Sequence, residues 1–338
     1  IQAGIIGICS VISANKIRKE YYLETRDAMI FGSVIWGQSW GGQGVSAPLK
    51  SLVDVYETID GKTIQSLSAE ERLQYERNPL YKARDPRLYA TVMMPEDSTS
   101  ISNYVYHPFD PNSSDFVGKT GASRSGYMLK KYLDEQDRAT GRGTLDFMIY
   151  RYAEVLMDYV ECLIETGDWQ NPDVEKYINM IRNRAGMPNM DKSVYNTQEK
   201  VRELYRRERR IELACEGFRY GDLRRWGCGK LLANVPEGVY LEPGYLDVTG
   251  DGQPDYAIVA TKADADAIPQ ADKDKYNLQV EILEGNTYSL TNGNKGYVRM
   301  ISQVGRWTFV EPKYYYTPIA TEDLIYNPNL IQNKYWAE

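Results

Sequence analysis

The stretch Thr197–Trp226, TQEKVRELYRRERRIELACEGFRYGDLRRW, decides how the rest of the chain is read. It opens on a helix start signal, with Asn196 as N-cap and Glu199 three residues on, placed to close a capping box. Val201, Leu204, Tyr205, Ile211, Cys215 and Phe218 then recur at helical spacing and lay an apolar stripe down one face. Within and beside that stripe stand Glu208, Arg209, Glu212, Glu216, Arg219, Asp222 and Arg225. Most charged helix faces are simply solvated. Here Glu208, Glu212 and Arg219 share the apolar side, and a charge taken out of water must be paired. The expectation is a single signature helix over 196–226 whose buried ion pairs fix packing geometry more than they add stability.

Composition narrows the function classes. The 338 residues suffice for one large core or two modest ones, and 42% hydrophobic with 26% charged residues is ordinary for a globular chain. A net charge of −7 disfavours nucleic acid, which selects a basic stripe. No apolar run approaches the length of a membrane span. Tyrosine is the outlier, with 28 against 6 Phe and 6 Trp, and its flat face with a polar tip suits both half-buried helices and binding surfaces. Cys9, Cys162, Cys215 and Cys228 show no metal spacing, and Cys162 and Cys215 read as small buried helix residues. His107 is the only histidine, so Ser-His-Asp, Cys-His and His-rich zinc chemistry all depend on that one residue.

Along the chain, 28–148 reads as loop-rich with short strands, including Leu88–Met94 and Tyr127–Tyr132. Residues 149–187 hold two helices. Arg151–Thr166 carries Tyr152, Val155, Leu156, Tyr159 and Leu163 on one face and stops at Gly167. Asn171-Pro172 starts Asp173–Arg184, which stops at Gly186. An antiparallel pair with so short a link is similar to one tetratricopeptide unit. The signature helix follows, then a loop insertion over 228–312 with a few hairpins, then a closing segment over 313–338.

No Walker loop, nucleophile elbow or zincin motif is present, which argues against an enzyme. A glycosidase would need two carboxylates across a cleft. Aromatic loops are the positive signal, because a sugar needs a ring to stack on and polar groups beside it. Trp36 and Trp40 sit in a glycine-rich loop with Gln38 and Gln43; Tyr104 and Tyr106, near Phe109, form a second platform. No cofactor is required, but one loop has calcium logic. Asp247, Thr249, Asp251, Gln253 and Asp255 take positions 1, 3, 5, 7 and 9 around Gly252, an arrangement of oxygen ligands about a tight turn. Ile258 stands where an EF-hand has its bidentate Glu, so that motif is excluded, and an Asx-rich turn is the alternative.

RRERRIELACEGFRYGDLRRWG resembles the signature helix of the SusD/RagB family, whose usual form reads roughly E-R-x-x-E-L-x-x-E-G-x-R-x-x-D-x-x-R-W. YKARDPRLYATVMMP, SGYMLKKYLDE, YRYAEVLMDYVECLIETGD, YINMIRNRAGMPNM and the closing YYYTPIATEDLIYNPNLIQNKYW are family-like and follow in the same order. The resemblance implies an α-rich α+β fold in which a tetratricopeptide-like helical scaffold bears long ligand loops. It implies non-catalytic capture of a nutrient, an oligosaccharide or else a peptide, at the extracellular face of a Gram-negative outer membrane. The implied partner is a SusC-like TonB-dependent transporter. Relatives often place stacking aromatics in the region of Trp36 and Trp40. Family members also carry an N-terminal lipid anchor and further helices ahead of the part matched here, so the chain is expected to be the C-terminal portion of such a protein.

Overall fold

A computed structural model describes residues 47–77, 83–94, parts of 97–132, 150–234, most of 237–300, and 308–336. They fall into two compact units, Ile1–Leu213 with Glu237–Ile301, and Ala214–Pro236 with Ser302–Glu338.

The first unit begins with α1 (Lys50–Val53), α2 (Ala69–Arg77) and α3 (Pro86–Thr91). Strands β1 (Val92–Met93) and β2 (Met128–Leu129) pair antiparallel, Val92 opposite Leu129. The apolar run Leu88–Met94 is therefore mostly helix, not strand. Its start signal decides the matter: the Asp85 side chain accepts from Arg87 N at 2.9 Å and Pro86 takes the first turn. The run extends only at Val92, where a second β-branched residue follows Thr91.

Helices α4 (Tyr152–Glu165) and α5 (Pro172–Arg184) form the expected pair, and both stop signals work through glycine: Gly167 has φ 90° and Gly186 φ 77°. Asn171 caps α5 by accepting from Asp173 N at 3.0 Å. The buried face of α4 is rotated from the expected one. Leu156, Met157, Val160 and Ile164 point inward, while Tyr152 and Tyr159 are 48% and 44% exposed. Two apolar stripes one position apart compete on this helix, and the stripe without phenols wins because a Tyr tip tolerates water. Glu161 joins the buried face since Tyr205 Oη donates to its Oε2 at 2.6 Å.

The signature stretch is two helices, α6 (Gln198–Glu212) and α7 (Phe218–Arg225). Its N-cap is Thr197, whose Oγ1 accepts from Lys200 N at 3.3 Å, and not Asn196. The break falls where Cys215 and Gly217 take positive φ, 63° and 88°. Gly217 makes that turn without a Cβ penalty. Cys162 and Cys215 are exposed rather than buried. Within α6 the stripe holds: Val201, Leu204, Tyr205 and Ile211 are all 1% exposed or less. Each such side chain contributes about 1.5–3 kcal/mol of burial.

The 237–300 segment is better ordered than a loop insertion. Strands β3 (Glu237–Leu241), β4 (Gly244–Leu246) and β5 (Tyr256–Val259) come first. Helices α8 (Lys262–Ala267) and α9 (Gln270–Lys275) precede β6 (Gln279–Ile282), β7 (Thr287–Ser289) and β8 (Lys295–Met300). One sheet runs β3-β8-β7, antiparallel throughout; the other runs β4-β5-β6 with β5 and β6 parallel. A parallel pair requires a crossover, and α8 and α9 supply it. Thr261 and Asp264 close a capping box at its start. Tyr256 and Ile258 of β5 reach the core made by Val53, Tyr56, Leu88, Val92 and Ile211.

The second unit holds α7 and α10 (Thr321–Tyr326), with single turns at Gly229–Ala233 and Lys313–Tyr315. No helix among the described residues is long and apolar enough to cross a membrane.

Candidate functional site

Two constellations stand out, one in each unit. In the first unit, Glu208 of α6 is fully buried and uses both oxygens. Oε1 is paired with Arg182 Nη1 of α5, and Oε2 lies 3.0 Å from Arg87 Nη2 of α3. Arg87 also grips Asp85 (Nη2–Oδ2 2.6 Å) and approaches Glu212 Oε2 at 3.3 Å. Arg182 extends the network to Glu57 Oε2 at 2.8 Å and donates from Nε to Pro188 O at 2.7 Å. The other oxygen of Glu57 is 2.8 Å from Arg207 Nη2. Glu212 receives Arg151 Nη1 at 2.7 Å and Arg184 Nη2 at 2.8 Å. Burial alone would raise the Glu212 carboxyl, but the Arg151 hydrogen bond and the charges of Arg151, Arg184 and Arg87 hold it below its usual range. Glu208 and Glu212 have both oxygens engaged by guanidinium inside the core, the arrangement of a packing network. The network is structural.

In the second unit, a cleft of about 490 Å³ opens between α7 and the closing segment. Its walls include Tyr220, Arg224, Phe309, Tyr314, Tyr316 and Trp336. Trp336 Nε1 donates to both Lys313 O and Tyr316 O, each at 3.0 Å, which fixes the indole. Tyr314 stacks against it with centroids 5.7 Å apart and 30° between planes. The Phe309 ring approaches Tyr315 edge-on at 4.9 Å. It fits because residue 229 is glycine: a Cβ there would come within 2.1 Å of Phe309 Cζ. Behind the rings, Gly229 N donates to Tyr315 Oη at 3.0 Å, and that hydroxyl donates to Glu311 Oε1 at 2.6 Å. Arg224 Nη2 donates to Tyr315 O at 2.8 Å, and its guanidinium sits 5.4 Å from the Tyr220 centroid. Tyr220 and Tyr316 are 50% and 44% exposed. A cleft of this size with flat apolar faces and a few fixed polar groups has the makings of a small-ligand site.

The sequence-derived candidates divide as follows. Glu208 and Glu212 are buried and paired as expected. Arg219 is half-buried rather than buried and falls in the second unit, beyond the end of α6. Asp222 is buried against the exposed Arg225, whose Nη2 lies 2.8 Å away, and Glu216 is half-buried. Tyr106 is a core residue at 1% exposure, packed with Met93, Met128 and Leu129, and is not a ligand platform. Trp36, Gln38, Trp40, Gln43, Tyr104 and Phe109 lie outside the described residues, as do Asp247, Thr249 and Asp251. Of the calcium loop, Gln253 is exposed, Asp255 half-buried and Gly252 at φ 82°. Among the described residues no cluster of three or more His, Cys, Asp or Glu is arranged around a metal position. The aromatic cleft itself went unread in the sequence, although the run KYYYTP at Lys313–Pro318 and Trp336 carry a usable signal, four rings within one closing segment.

A sequence profile of the SusD family matches residues 15–336. Among solved structures, the chain is similar to a SusD-like protein from Bacteroides fragilis, with 21% identity and a TM-score of 0.60 over 92% of this chain and 52% of that one. It is also similar to a SusD-like carbohydrate binding protein from Bacteroides fragilis, with 27% identity and a TM-score of 0.59 over 89% of this chain and 51% of the other. The chain thus spans about half the length of each. No curated protein matches it. With the profile running nearly end to end and the α-rich architecture shared with these structures, the chain belongs to the SusD family.

Proposed function

We propose that this chain captures an oligosaccharide without turning it over, at the outer face of a Gram-negative outer membrane, and passes it to a SusC-like TonB-dependent transporter. The observation that carries this reading is the 27% identical SusD-like carbohydrate binding protein aligned over 89% of the chain. The aromatic cleft of the second unit supports it with rings of the chemistry that a pyranose face needs. The Trp36–Gln43 loop is a second candidate surface of the same kind. In the same reading the 247–255 loop takes calcium, supported by Gly252 holding the positive φ that such a loop turns on.

The test is calorimetric titration of the chain with a broad oligosaccharide panel, followed by chromatography of the recovered sugars. Saturable binding with every sugar intact is the expected result. Product formation would make the chain an enzyme. Binding of peptides with no response to any sugar would replace glycan capture by peptide uptake.

A further inference from the structure

We infer that the cleft of the second unit selects an anionic saccharide, a sugar ring carrying a carboxylate or sulfate, with Arg224 as the residue that reads the charge. The inference rests on the glycan reading above and names the class of glycan.

Arg224 differs from Arg87 and Arg182 of the first unit, which meet carboxylates, in what it meets. Its Nη2 contacts are neutral, Tyr315 O at 2.8 Å and Thr317 Oγ1 at 3.5 Å. Its Nε is buried and finds no acceptor among the described residues. A guanidinium at the wall of a cleft with a buried N–H left over is an unfavourable arrangement until an acceptor arrives. An anionic oxygen is the best acceptor, because charge-assisted bonds to guanidinium are shorter and stronger than neutral ones. The neighbouring carboxylates are engaged elsewhere. Asp222 is held by Arg225 at 2.8 Å, and Glu311 by Lys230 at 2.9 Å and by the Tyr315 hydroxyl. A second cation stands close by, with Lys313 Nζ 4.6 Å from the Trp336 centroid.

The rings restrict the anion to one with a flat face. Tyr220 and Tyr316 are about half exposed and Trp336 is fixed by its two carbonyl acceptors. A sugar ring stacks on such a wall and brings its acidic substituent to the guanidinium; a bare inorganic anion uses only Arg224. The chain as a whole carries −7, which repels anions at a distance. Screening confines that repulsion, since the Debye length is about 8 Å at physiological salt, and contact with Arg224 falls inside it.

The experiment titrates the chain with acidic oligosaccharides, uronate-containing and sulfated in separate arms, each beside its neutral counterpart prepared by carboxyl reduction or desulfation. The acidic member should bind about tenfold more tightly, equivalent to about 1.4 kcal/mol. That preference should shrink as salt rises from about 0.05 to about 0.5 M. Arg224→Gln should reduce the preference to less than about threefold, or about 0.6 kcal/mol. The comparison on the unmodified chain stands even if that variant fails to fold. Neutral sugars bound as tightly as acidic ones would overturn the inference and leave glycan capture intact. No binding in any arm would overturn glycan capture and this inference with it.

Discussion

The interior of the first unit and the cleft of the second use the same side chains, arginine and tyrosine, to opposite ends. In the first, Arg87 meets three carboxylates and Arg182 two, and Tyr205 donates to Glu161. In the second, Arg224 meets only neutral acceptors among the described residues, and Tyr220 leaves half its surface to solvent. A buried ion pair holds structure, because separating its partners leaves a charge without one. An unsaturated group beside an exposed ring is available to a ligand. The difference teaches that residue type alone does not separate scaffold from site; a carboxylate partner inside the core or an exposed ring beside a cleft does.

The largest effect should come from emptying the centre of the scaffold. Glu208→Ala leaves Arg87 and Arg182 facing each other without their shared carboxylate. Removing one partner of a buried pair costs about 3–5 kcal/mol, read from the denaturant midpoint. A loss below about 1 kcal/mol would mean the network is no tighter than a surface pair. Overpacking should be milder. Gly229→Ala drives a methyl into Phe309 and should cost about 1–3 kcal/mol or displace the ring from the cleft.

Acid should weaken the scaffold through Glu212. Glu212 ionises more easily in the folded chain than its ordinary value near 4.5. Its contribution is therefore complete above that value and is lost as pH falls through the lower, folded one. Unfolding measured between neutral pH and pH 3 should show this decline, and Glu212→Gln should flatten it at the expense of stability at neutral pH. A decline of the same depth in the variant would assign it to other carboxylates. The smallest effect concerns the start of α6. Thr197→Ala should cost about 1 kcal/mol, whereas Asn196→Ala should cost far less, because only Thr197 caps.

Much of the first unit was legible in the sequence because its signals are local. Asn171-Pro172, Gly167 and Gly186 mark helix ends by backbone chemistry that needs no distant partner. The inward stripe of α6 is likewise a matter of spacing. What failed depends on partners far along the chain. Glu208 finds Arg87 at 121 residues and Arg182 at 26, so its burial was inferable but its partners were not. Arg219 shares the face of Glu208 only if the helix runs unbroken, and Cys215 and Gly217 break it. Tyr106 has the look of a platform in the sequence, an aromatic in a polar stretch, but Met93, Met128 and Leu129 enclose it in the core. The cleft was missed because its rings come from two segments about ninety residues apart, as the Arg224-to-Tyr315 contact shows.

The division between scaffold and site is tested most directly by one variant measured twice. Tyr220→Ala removes a ring that is 50% exposed on the cleft wall. Truncating a central aromatic in a binding surface costs about 2 kcal/mol, close to a thirtyfold loss of affinity. Affinity for the best oligosaccharide of the panel and unfolding free energy are measured on the same preparation. The expected result is that thirtyfold loss of affinity with stability within about 0.5 kcal/mol of the parent. Unchanged affinity, or a loss of stability as large as the loss of binding, would contradict it.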